Sequence, residues 1–306
     1  MSKVVVTGPD GFVGRILCEM LRSAGHQVVP LSRAQWVLGE RRIVDPSLAS
    51  AMQDAGAVIH LAARAHVTKE THEDPLGEFR RVNVQGALAV ADLAARTGVA
   101  RFVFVSSIGV LGNASGSRIF TESDAPSPAE PYAVSKWEAE QGLRVLAQNS
   151  ALQMVVVRPP LTYGPQVKGN FLRLLRLVKS GVPLPFGDVR NSRSYIGVRN
   201  LCEFLILCAF HPSANGRTFN VSDGEDLSTP ELLQLMAAAM GKRARLFRCP
   251  APLLRAAAIA FRKRTELDRL TADLRVDSTL ARRTLGWRPA VDPRTGIAEM
   301  VRSFKC

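Results

Sequence analysis

Tyr132 and Lys136 are the pair of residues whose types and spacing point most directly to acid–base chemistry. Because they are four residues apart, both side chains lie on one face if the segment is an α-helix. A free tyrosine has a pKa of about 10 and exchanges protons poorly at neutral pH, but a neighbouring cation stabilises its phenolate. The pair therefore indicates a tyrosine that exchanges a proton with a substrate oxygen, although in an arbitrary helix the same spacing is usually surface decoration.

A second chemical signal is the stretch TGPDGFVGRIL, in which Gly8, Gly11 and Gly14 follow the apolar run KVVV. The pattern predicts a strand, a tight turn and a helix that begins near Phe12. Backbone N–H groups at such a helix N-terminus bind a diphosphate, and the glycines let it come close. A glycine triad alone is also consistent with a simple strand-to-helix turn.

The elements that must position these residues follow a βαβ rhythm. Apolar runs predicted as strands alternate with amphipathic stretches predicted as helices. Strands that are apolar on successive residues suit a parallel sheet covered on both faces, so we predict an α/β fold with a Rossmann-type doubly wound parallel sheet. The five runs are KVVV, HQVVPL, AVIHLAA, RFVFVSS and LQMVVVRP.

The rhythm ends near residue 165, where Pro- and Gly-rich pieces and helix-like blocks begin without a clean linker. We expect residues 1–165 to form the dinucleotide-binding Rossmann domain, which also takes in about 190–212. Residues 166–306 are expected to form mainly a smaller C-terminal α/β substrate region.

Composition excludes several protein classes. The 306 residues are 46% hydrophobic, enough for one large core or two smaller ones, which excludes disordered and fibrous proteins. Five scattered cysteines favour ordinary thiols in a reducing compartment over disulfides or a metal site, and no metal is expected. With no signal-peptide pattern and no apolar run near the ~18 residues that cross a bilayer, we expect a soluble or peripheral cytoplasmic protein.

Positive charge is concentrated near the C-terminus. The formal net charge is +13, and residues 242–306 contain 16 Lys and Arg against 6 Asp and Glu. Such a field attracts diphosphates, nucleic acid or acidic lipid headgroups, although a solvated basic surface without a partner is also compatible. Since no nucleic-acid motif and no basic stretch interleaved with aromatic residues is present, we expect no nucleic-acid partner.

Seven further motifs carry a family resemblance along almost the whole chain. The G-x-x-G-x-x-G spacing of the first turn, together with these motifs, resembles the extended short-chain dehydrogenase/reductase superfamily, whose members mostly act on nucleotide sugars. EPYAVSKWEAE supplies its Tyr-x-x-x-Lys, and RFVFVSSIGVLG resembles its serine-bearing strand. The other motifs are DAGAVIHLAA, RVNVQGA, VVRPPLTYGPQVKGNF, RSYIGVRNL and ARRTLGWRP.

The resemblance implies a catalytic set of Ser107, Tyr132 and Lys136. Tyr132 would exchange the proton, Lys136 would also hold the nicotinamide ribose, and Ser107 would hydrogen-bond the reacting oxygen. Ser106 competes with Ser107, because a slip of one residue in a strand sends the side chain to the opposite face. Asn83 would position Lys136 or the active-site loop, or would satisfy buried backbone groups.

The segment QVVPLSRA bears on the choice of cofactor. NAD-binding proteins commonly place Asp or Glu after the second strand, whereas here that place holds Ser32 and Arg33. Arginine binds a 2′-phosphate through a charge-assisted hydrogen bond, so we predict NADP(H), with NAD(H) as the alternative. Asp45 resembles the family's adenine-contacting aspartate. The predicted cofactor-binding residues are Gly8, Gly11, Phe12, Gly14, Ser32, Arg33, Asp45, Leu61, Ala62, Ala63, Asn83, Ser106, Tyr132, Lys136, Arg158 and Pro159.

Four residues are predicted to bind substrate in addition to Ser107 and Tyr132. Arg193 resembles the arginine that the family directs at the substrate diphosphate, and Asn170 is expected to touch the same group. Arg269 is the candidate for a second arginine. Phe186, in VPLPFGD, is predicted to pack on the nucleotide base or to belong to the core.

The resemblance and Ser32-Arg33 together predict NADPH-dependent reduction of the C4 ketone of a UDP-4-keto-6-deoxy-N-acetylhexosamine, or of its polyprenyl-diphosphate form, in bacterial surface-polysaccharide synthesis. One alternative is a UDP-hexose or N-acetylhexosamine 4-epimerase, which would keep NAD bound. Another is a non-catalytic dinucleotide-binding sensor or assembly factor, which would typically lack the tyrosine or the lysine.

Two predictions concern larger surfaces. The segment 251–264, APLLRAAAIAFRKR, joins apolar helix-like residues to a basic end and could lie on the inner face of a membrane, although such helices more often cover their own core. By resemblance, we also expect a homodimer formed by the helices around 78–97 and 132–148.

Overall fold

The computed structural model describes residues 1–31, 46–65 and 73–305. The predicted cofactor-selecting residues Ser32, Arg33 and Asp45 lie outside the described residues, and their roles stay predictions.

Eight strands lie in the described ranges. They are β1 (Lys3–Thr7), β2 (Gln27–Leu31), β3 (Ala55–His60), β4 (Arg101–Val105), β5 (Gln153–Arg158), β6 (Leu161–Tyr163), β7 (Tyr195–Gly197) and β8 (Thr218–Asn220). Six of these described strands form one parallel sheet in the order β2-β1-β3-β4-β5-β8, and β6 pairs with β7 in a second, two-stranded parallel sheet. The order reverses at β1, so the loops after β1 and β3 lie where doubly wound sheets bind ligands.

Helices cover the sheet and build the second region. Those in the described ranges are α1 (Phe12–Ser23), α2 (Pro46–Met52), α3 (Pro75–Phe79), α4 (Gly86–Arg96), α5 (Pro131–Gln148), α6 (Gly169–Ser180), α7 (Val198–Phe210), α8 (Thr229–Ala239), α9 (Ala251–Ala260), α10 (Arg264–Thr271), α11 (Thr279–Leu285) and α12 (Pro293–Lys305). A π-helical segment, Arg80–Gln85, joins α3 to α4. None of the described helices is both long and apolar enough to span a bilayer.

Strand β1 shows why both faces of the sheet are covered. Its central residues Val4, Val5 and Val6 are fully buried. Because successive side chains point to opposite faces, Val4 and Val6 pack with α1 and α7, whereas Val5 packs with α2, α4 and α5. This arrangement confirms the predicted doubly wound α/β fold.

The second region has its own core, formed by β6, β7 and helices that include α6, α8 and α12. Two strands depart from the predicted division at residue 165. β6 lies before that point but pairs with β7 outside the main sheet, and β8 lies after it but hydrogen-bonds to β5. Helix α11 also packs on the core of the main sheet through Ala281 and Leu285. The chain therefore crosses between the two regions more than once.

Candidate active site

The glycine turn after β1 lies against the loop after β3. Gly8 has φ +69°, and a Cβ built on it would stand 3.0 Å from the Ala62 nitrogen. A Cβ on Gly14 would stand 2.1 Å from the Gly8 oxygen, so α1 can approach the turn only if residue 14 is glycine. The predicted Leu61, Ala62 and Ala63 form the facing loop.

The turn fits the diphosphate of a dinucleotide. Gly11, the N-cap residue of α1, has an extended backbone and no side chain that could accept a hydrogen bond from the first turn of the helix. The first N–H groups of α1, like those of any helix, have no partner within the helix. These donors, with the positive end of the helix dipole, suit an anionic group. Phe12 contributes its backbone here, since its side chain packs between the cores of the two regions.

Thr7 and His60, at the ends of β1 and β3, hold this turn and the facing loop in place. The Thr7 hydroxyl lies 3.0 Å from His60 Nδ1 and accepts a hydrogen bond of 3.2 Å from the Ala62 nitrogen. Burial lowers the pKa of His60 to about 3, so the ring is neutral. Neither residue was predicted from the sequence; the available signal was a polar residue at the end of each apolar strand.

Tyr132 and Lys136 lie in the first two turns of α5, which starts with Pro131 after the N-cap Glu130. Proline suits this first position because its missing N–H would have no helical partner. Burial raises the pKa of Tyr132 to about 12, so the phenol holds its proton at neutral pH. Its ring meets Phe79 of α3 edge to face at 6.2 Å between centroids.

Lys136 is almost fully buried, with 1% of its surface exposed. Burial lowers its pKa to about 7, although the carboxylate of Glu140 one helical turn further favours the charged form. The ammonium nitrogen lies 4.1 Å from the centroid of the Phe104 ring. A lysine in this setting changes charge near neutral pH, so a ligand that hydrogen-bonds its ammonium would recover the charged form.

Ser106 and Ser107, at the carboxyl end of β4, point to different surroundings. The Ser106 hydroxyl is buried and donates to Glu140 Oε1 at 2.5 Å. Ser107 is partly exposed, and its oxygen accepts a hydrogen bond of 3.1 Å from the Gly109 nitrogen at the start of a short 3₁₀ turn. The accessible hydroxyl is therefore that of Ser107, which keeps it as our proposed catalytic serine.

The structure changes our interpretation of Arg158, which was predicted to bind cofactor. Its guanidinium is 2% exposed and forms a two-point ion pair with the fully buried Glu140, at 3.0 Å from Nε to Oε1 and 2.6 Å from Nη2 to Oε2. Glu140 also accepts a hydrogen bond from Ser106, so this ion pair connects α5 to the ends of β4 and β5. The Arg158 side chain is therefore engaged with α5, and the adjacent Pro159 carbonyl accepts from the Ile108 nitrogen at 3.0 Å.

Asn83 combines the two roles that the sequence left open. It lies in the π-helical segment, and its side chain exchanges hydrogen bonds with both backbone groups of Arg64, at 2.7 and 3.2 Å. Its amide also donates to the Ser135 hydroxyl at 2.9 Å, and that hydroxyl donates to the Tyr132 carbonyl at 2.8 Å. Asn83 thus connects the loop after β3 to the catalytic helix while satisfying buried backbone groups.

Three predicted substrate residues, Asn170, Arg193 and Arg269, line one cavity in the second region. Sequence analysis missed Arg173 and Glu266, which lie in the same wall. The residues that line the cavity come from β6, β7, α6, α8 and α10 and from the turn before β7. They are spread along the chain between Leu161 and Leu270. Its lining is Leu161, Asn170, Phe171, Arg173, Leu174, Arg193, Tyr195, Leu232, Glu266, Arg269 and Leu270.

Two of the three arginines that line this cavity are held in different ways. Arg193 is 4% exposed; its Nη1 donates to the Ala272 carbonyl at 2.8 Å, and its buried Nε makes no hydrogen bond within the described ranges. Arg269 is partly exposed and pairs at 2.5 Å with Glu130, the N-cap residue of α5. A buried donor in need of a partner fits an anionic ligand such as a diphosphate.

Phe186 is the predicted substrate residue that the structure places elsewhere. It is 8% exposed and packs in the core of the second region, outside the cavity lining. An apolar ring that is buried there contributes to stability, and the sequence had left this reading open. Its burial agrees with the core alternative, and packing on a nucleotide base stays a prediction.

Comparisons with known proteins show the family of this chain. A profile of the NAD dependent epimerase/dehydratase family matches residues 4–222. The chain is 35% identical to a UDP-glucose 4-epimerase from Vibrio cholerae over 99% of this chain and 95% of that protein. It is 32% identical to a 2-alkyl-3-oxoalkanoate reductase from Stenotrophomonas maltophilia over 78% of this chain and 76% of that one.

Solved structures show the same fold over the whole chain. MoeE5 in complex with UDP-glucose and NAD superposes with a TM-score of 0.77 at 25% identity, covering 99% of this chain and 98% of that one. Together with the glycine turn and the Tyr132–Lys136 helix, these likenesses identify an enzyme that uses a nicotinamide dinucleotide. The chain belongs to the NAD-dependent epimerase/dehydratase family of extended short-chain dehydrogenases/reductases.

Proposed function

We propose that this enzyme reduces the C4 ketone of a UDP-4-keto-6-deoxy-N-acetylhexosamine in bacterial surface-polysaccharide synthesis. The observation that carries the proposal is the half-buried, protonated phenol of Tyr132 on the same helix as Lys136, with Ser107 just after the end of β4. Reduction of a ketone needs a proton donor at the carbonyl oxygen, and a phenol that keeps its proton at neutral pH is in the required state.

In the proposed reaction, a bound NADPH supplies the hydride that the C4 carbon accepts. Tyr132 gives its proton to the carbonyl oxygen, Ser107 donates a hydrogen bond to that oxygen, and the charged form of Lys136 stabilises the phenolate left behind. Solvent then returns a proton to Tyr132. The ketone becomes an alcohol as NADPH becomes NADP⁺, so electrons and protons balance.

The preference for NADP(H) is supported by Ser32 and Arg33, which follow β2 where a carboxylate would repel a 2′-phosphate. Arginine pairs with that phosphate in a two-point geometry. NAD(H) remains the alternative cofactor.

A second candidate function is 4-epimerisation of a UDP-hexose or UDP-N-acetylhexosamine. It is favoured by the full-length likeness to the Vibrio cholerae UDP-glucose 4-epimerase. An epimerase alternately oxidises and reduces the same carbon, so its NAD stays bound and is regenerated in each turnover. The non-catalytic alternative is disfavoured because Tyr132 and Lys136 are both present.

The substrate diphosphate is assigned to the cavity that contains Asn170, Arg193 and Arg269. The bound UDP-glucose of MoeE5 supports a nucleotide carrier. A polyprenyl diphosphate presents the same anionic group, so the lipid-linked sugar is the second carrier that we consider.

We further propose a cytoplasmic homodimer formed by the helical segments 78–97 and 132–148. Val145, in the last turn of α5, is 58% exposed, and such an exposed apolar side chain suits a contact between subunits. Light scattering on the wild type and on Val145→Glu tests this: a wild-type mass of two chains that falls to one in the variant is expected.

The activity test is NADPH or NADH absorbance with the purified protein and a UDP-4-keto-6-deoxy-N-acetylhexosamine. We expect one NADPH consumed per ketone reduced, and loss of that consumption in Tyr132→Phe while NADPH binding is retained. Interconversion of UDP-hexoses with bound NAD and no net consumption would instead establish the epimerase. Unchanged turnover in Tyr132→Phe would overturn the proposed site.

A further inference from the structure

Helix α9 is apolar on almost every side, yet it is largely exposed. Within the described ranges it buries Leu254 and Ala258 in the core of the second region, whereas Leu253 is 63% and Ile259 is 59% exposed. A helix that serves only to cover its own core turns its apolar stripe inward and its polar residues outward. Here the outward side is apolar as well.

The residues that follow α9 extend the exposed apolar surface. Phe261, the C-cap residue of α9, is 77% exposed. Shortly before the helix, Phe247 is 49% exposed. Exposed apolar side chains concentrated in one segment and rimmed by polar residues indicate an interaction site on a protein surface.

The sequence segment that contains α9 carries only positive charges, of which Arg248, Lys263 and Arg264 pair with carboxylates from outside the segment. Residues 242–264 contain eight Lys and Arg and no Asp or Glu. Arg255 and Arg262 are exposed, and among the described residues neither forms an ion pair. An apolar face bordered by such cations is complementary to one common surface: a bilayer with anionic headgroups over a hydrocarbon interior.

We propose that α9 and its C-terminal turn dock on an anionic lipid bilayer, through a membrane-docking surface defined as Leu253, Arg255, Ile259, Phe261 and Arg262. The apolar side chains enter the boundary between headgroups and acyl chains, and the arginines contact lipid phosphates. The helix is already folded in the free protein, so docking does not require it to become ordered.

Docking would bring the proposed substrate cavity close to the membrane. Helix α10 begins directly after this surface and supplies Glu266, Arg269 and Leu270 to the cavity wall. If the proposed sugar reduction is correct, a polyprenyl-diphosphate sugar held in the bilayer then reaches the same cavity as the UDP-linked form. The membrane-docking surface itself does not depend on that reaction.

The test is flotation of the full-length protein with vesicles of equimolar phosphatidylglycerol and phosphatidylcholine at low salt. We expect the wild type to float with these vesicles and to stay in solution with phosphatidylcholine alone. Arg255→Gln/Arg262→Gln should lower the partition coefficient about 25-fold, about fivefold for each arginine removed. Leu253→Ser/Phe261→Ser should lower it at least tenfold, since both side chains lose their burial in the acyl region.

Matched controls separate docking from general stickiness and from misfolding. Ile119→Ser/Phe210→Ser removes exposed apolar residues elsewhere, and Arg22→Gln removes an exposed arginine of α1; both should float like the wild type. Wild-type protein that stays in solution, or controls that lose binding equally, would overturn the proposal. So would light scattering in which Leu253→Ser/Phe261→Ser alone converts a dimer to monomer, because a second copy would then cover the surface.

Discussion

At the residue scale, the two neighbouring serines that follow β4 show how a shift of one position changes the surroundings of a side chain. Ser106 is enclosed by Glu140 and serves the packing of α5, whereas Ser107 is accessible at the strand end. We expect Ser107→Ala to lower kcat about 100-fold, because it removes a hydrogen-bond donor to the reacting oxygen. Ser106→Ala should keep kcat within a few fold but cost about 2 kcal/mol of unfolding free energy, since a buried carboxylate loses a donor. Turnover assays give kcat for both variants, and urea unfolding gives their unfolding free energies. A large loss of kcat in Ser106→Ala and not in Ser107→Ala would make Ser106 the catalytic serine.

Lys136 makes stability depend on pH in a predictable direction. Its pKa falls from 10.5 in the unfolded chain to about 7 in the fold, so between these values the unfolded state binds more protons. The unfolding free energy therefore rises with pH in that window, by up to about 1.4 kcal/mol per pH unit, and the penalty of the buried charge is fully present below pH 7.

Urea unfolding of the wild type and Lys136→Met between neutral and mildly alkaline pH tests this. The methionine variant should be the more stable protein at the acid end, and its advantage should shrink as the pH rises. Lys242→Met, which removes an exposed lysine, should show a constant difference from the wild type. An advantage of Lys136→Met that does not change with pH would contradict the expected titration.

At the element scale, the approach of α1 to the turn after β1 creates the proposed diphosphate site. Glycine to alanine inside a helix ordinarily adds about 1 kcal/mol of stability. At Gly14 the new methyl would lie 2.1 Å from the Gly8 oxygen, a backbone atom that cannot move aside cheaply. The steric clash outweighs the gain in helix propensity. We therefore expect Gly14→Ala to lower the unfolding free energy by about 3 kcal/mol and to weaken NADPH binding strongly.

Nucleotide fluorescence titration and thermal unfolding measure both effects. Gly56→Ala is the matched control, because a methyl there would stand 3.7 Å from its nearest neighbour, Ser2, in ordinary contact. It should bind NADPH like the wild type. Equal NADPH affinities of Gly14→Ala and Gly56→Ala would show that the glycine turn does not bind the cofactor.

At the scale of the whole molecule, the ion pair between Arg269 and Glu130 connects the proposed substrate cavity to the N-cap residue of α5. Both side chains are substantially exposed, so the pair itself contributes about 0–1 kcal/mol to stability. We expect Arg269→Gln to raise the KM for the sugar substrate about tenfold, through a lost charged contact to the diphosphate, while the Kd for NADPH stays unchanged.

Arg264→Gln is the control, since it removes an exposed arginine from the start of the same helix without touching the cavity lining. Its KM should match that of the wild type. A rise in KM shared by both variants would indicate that general positive charge attracts the substrate.

Local sequence determined the secondary-structure elements of the main sheet and two parts of the candidate site. The apolar strands, the glycine turn and the Tyr132–Lys136 spacing depend on neighbours within a few residues, so they predicted the doubly wound fold and the catalytic helix. The glycines at 8 and 14 could be recognised because a backbone conformation and a close approach each require that residue type.

The tertiary structure alone decided which side chains meet across long separations. Whether Arg158 would point to a cofactor or to Glu140, and whether Phe186 would line a site or fill a core, depends on the packing of α5 and of the second region. The exposure of α9 could not be predicted from the sequence either, because the sequence of an apolar helix does not show whether another surface covers it. Local pattern specifies elements and their chemistry, whereas burial and charge pairing arise only when distant elements pack.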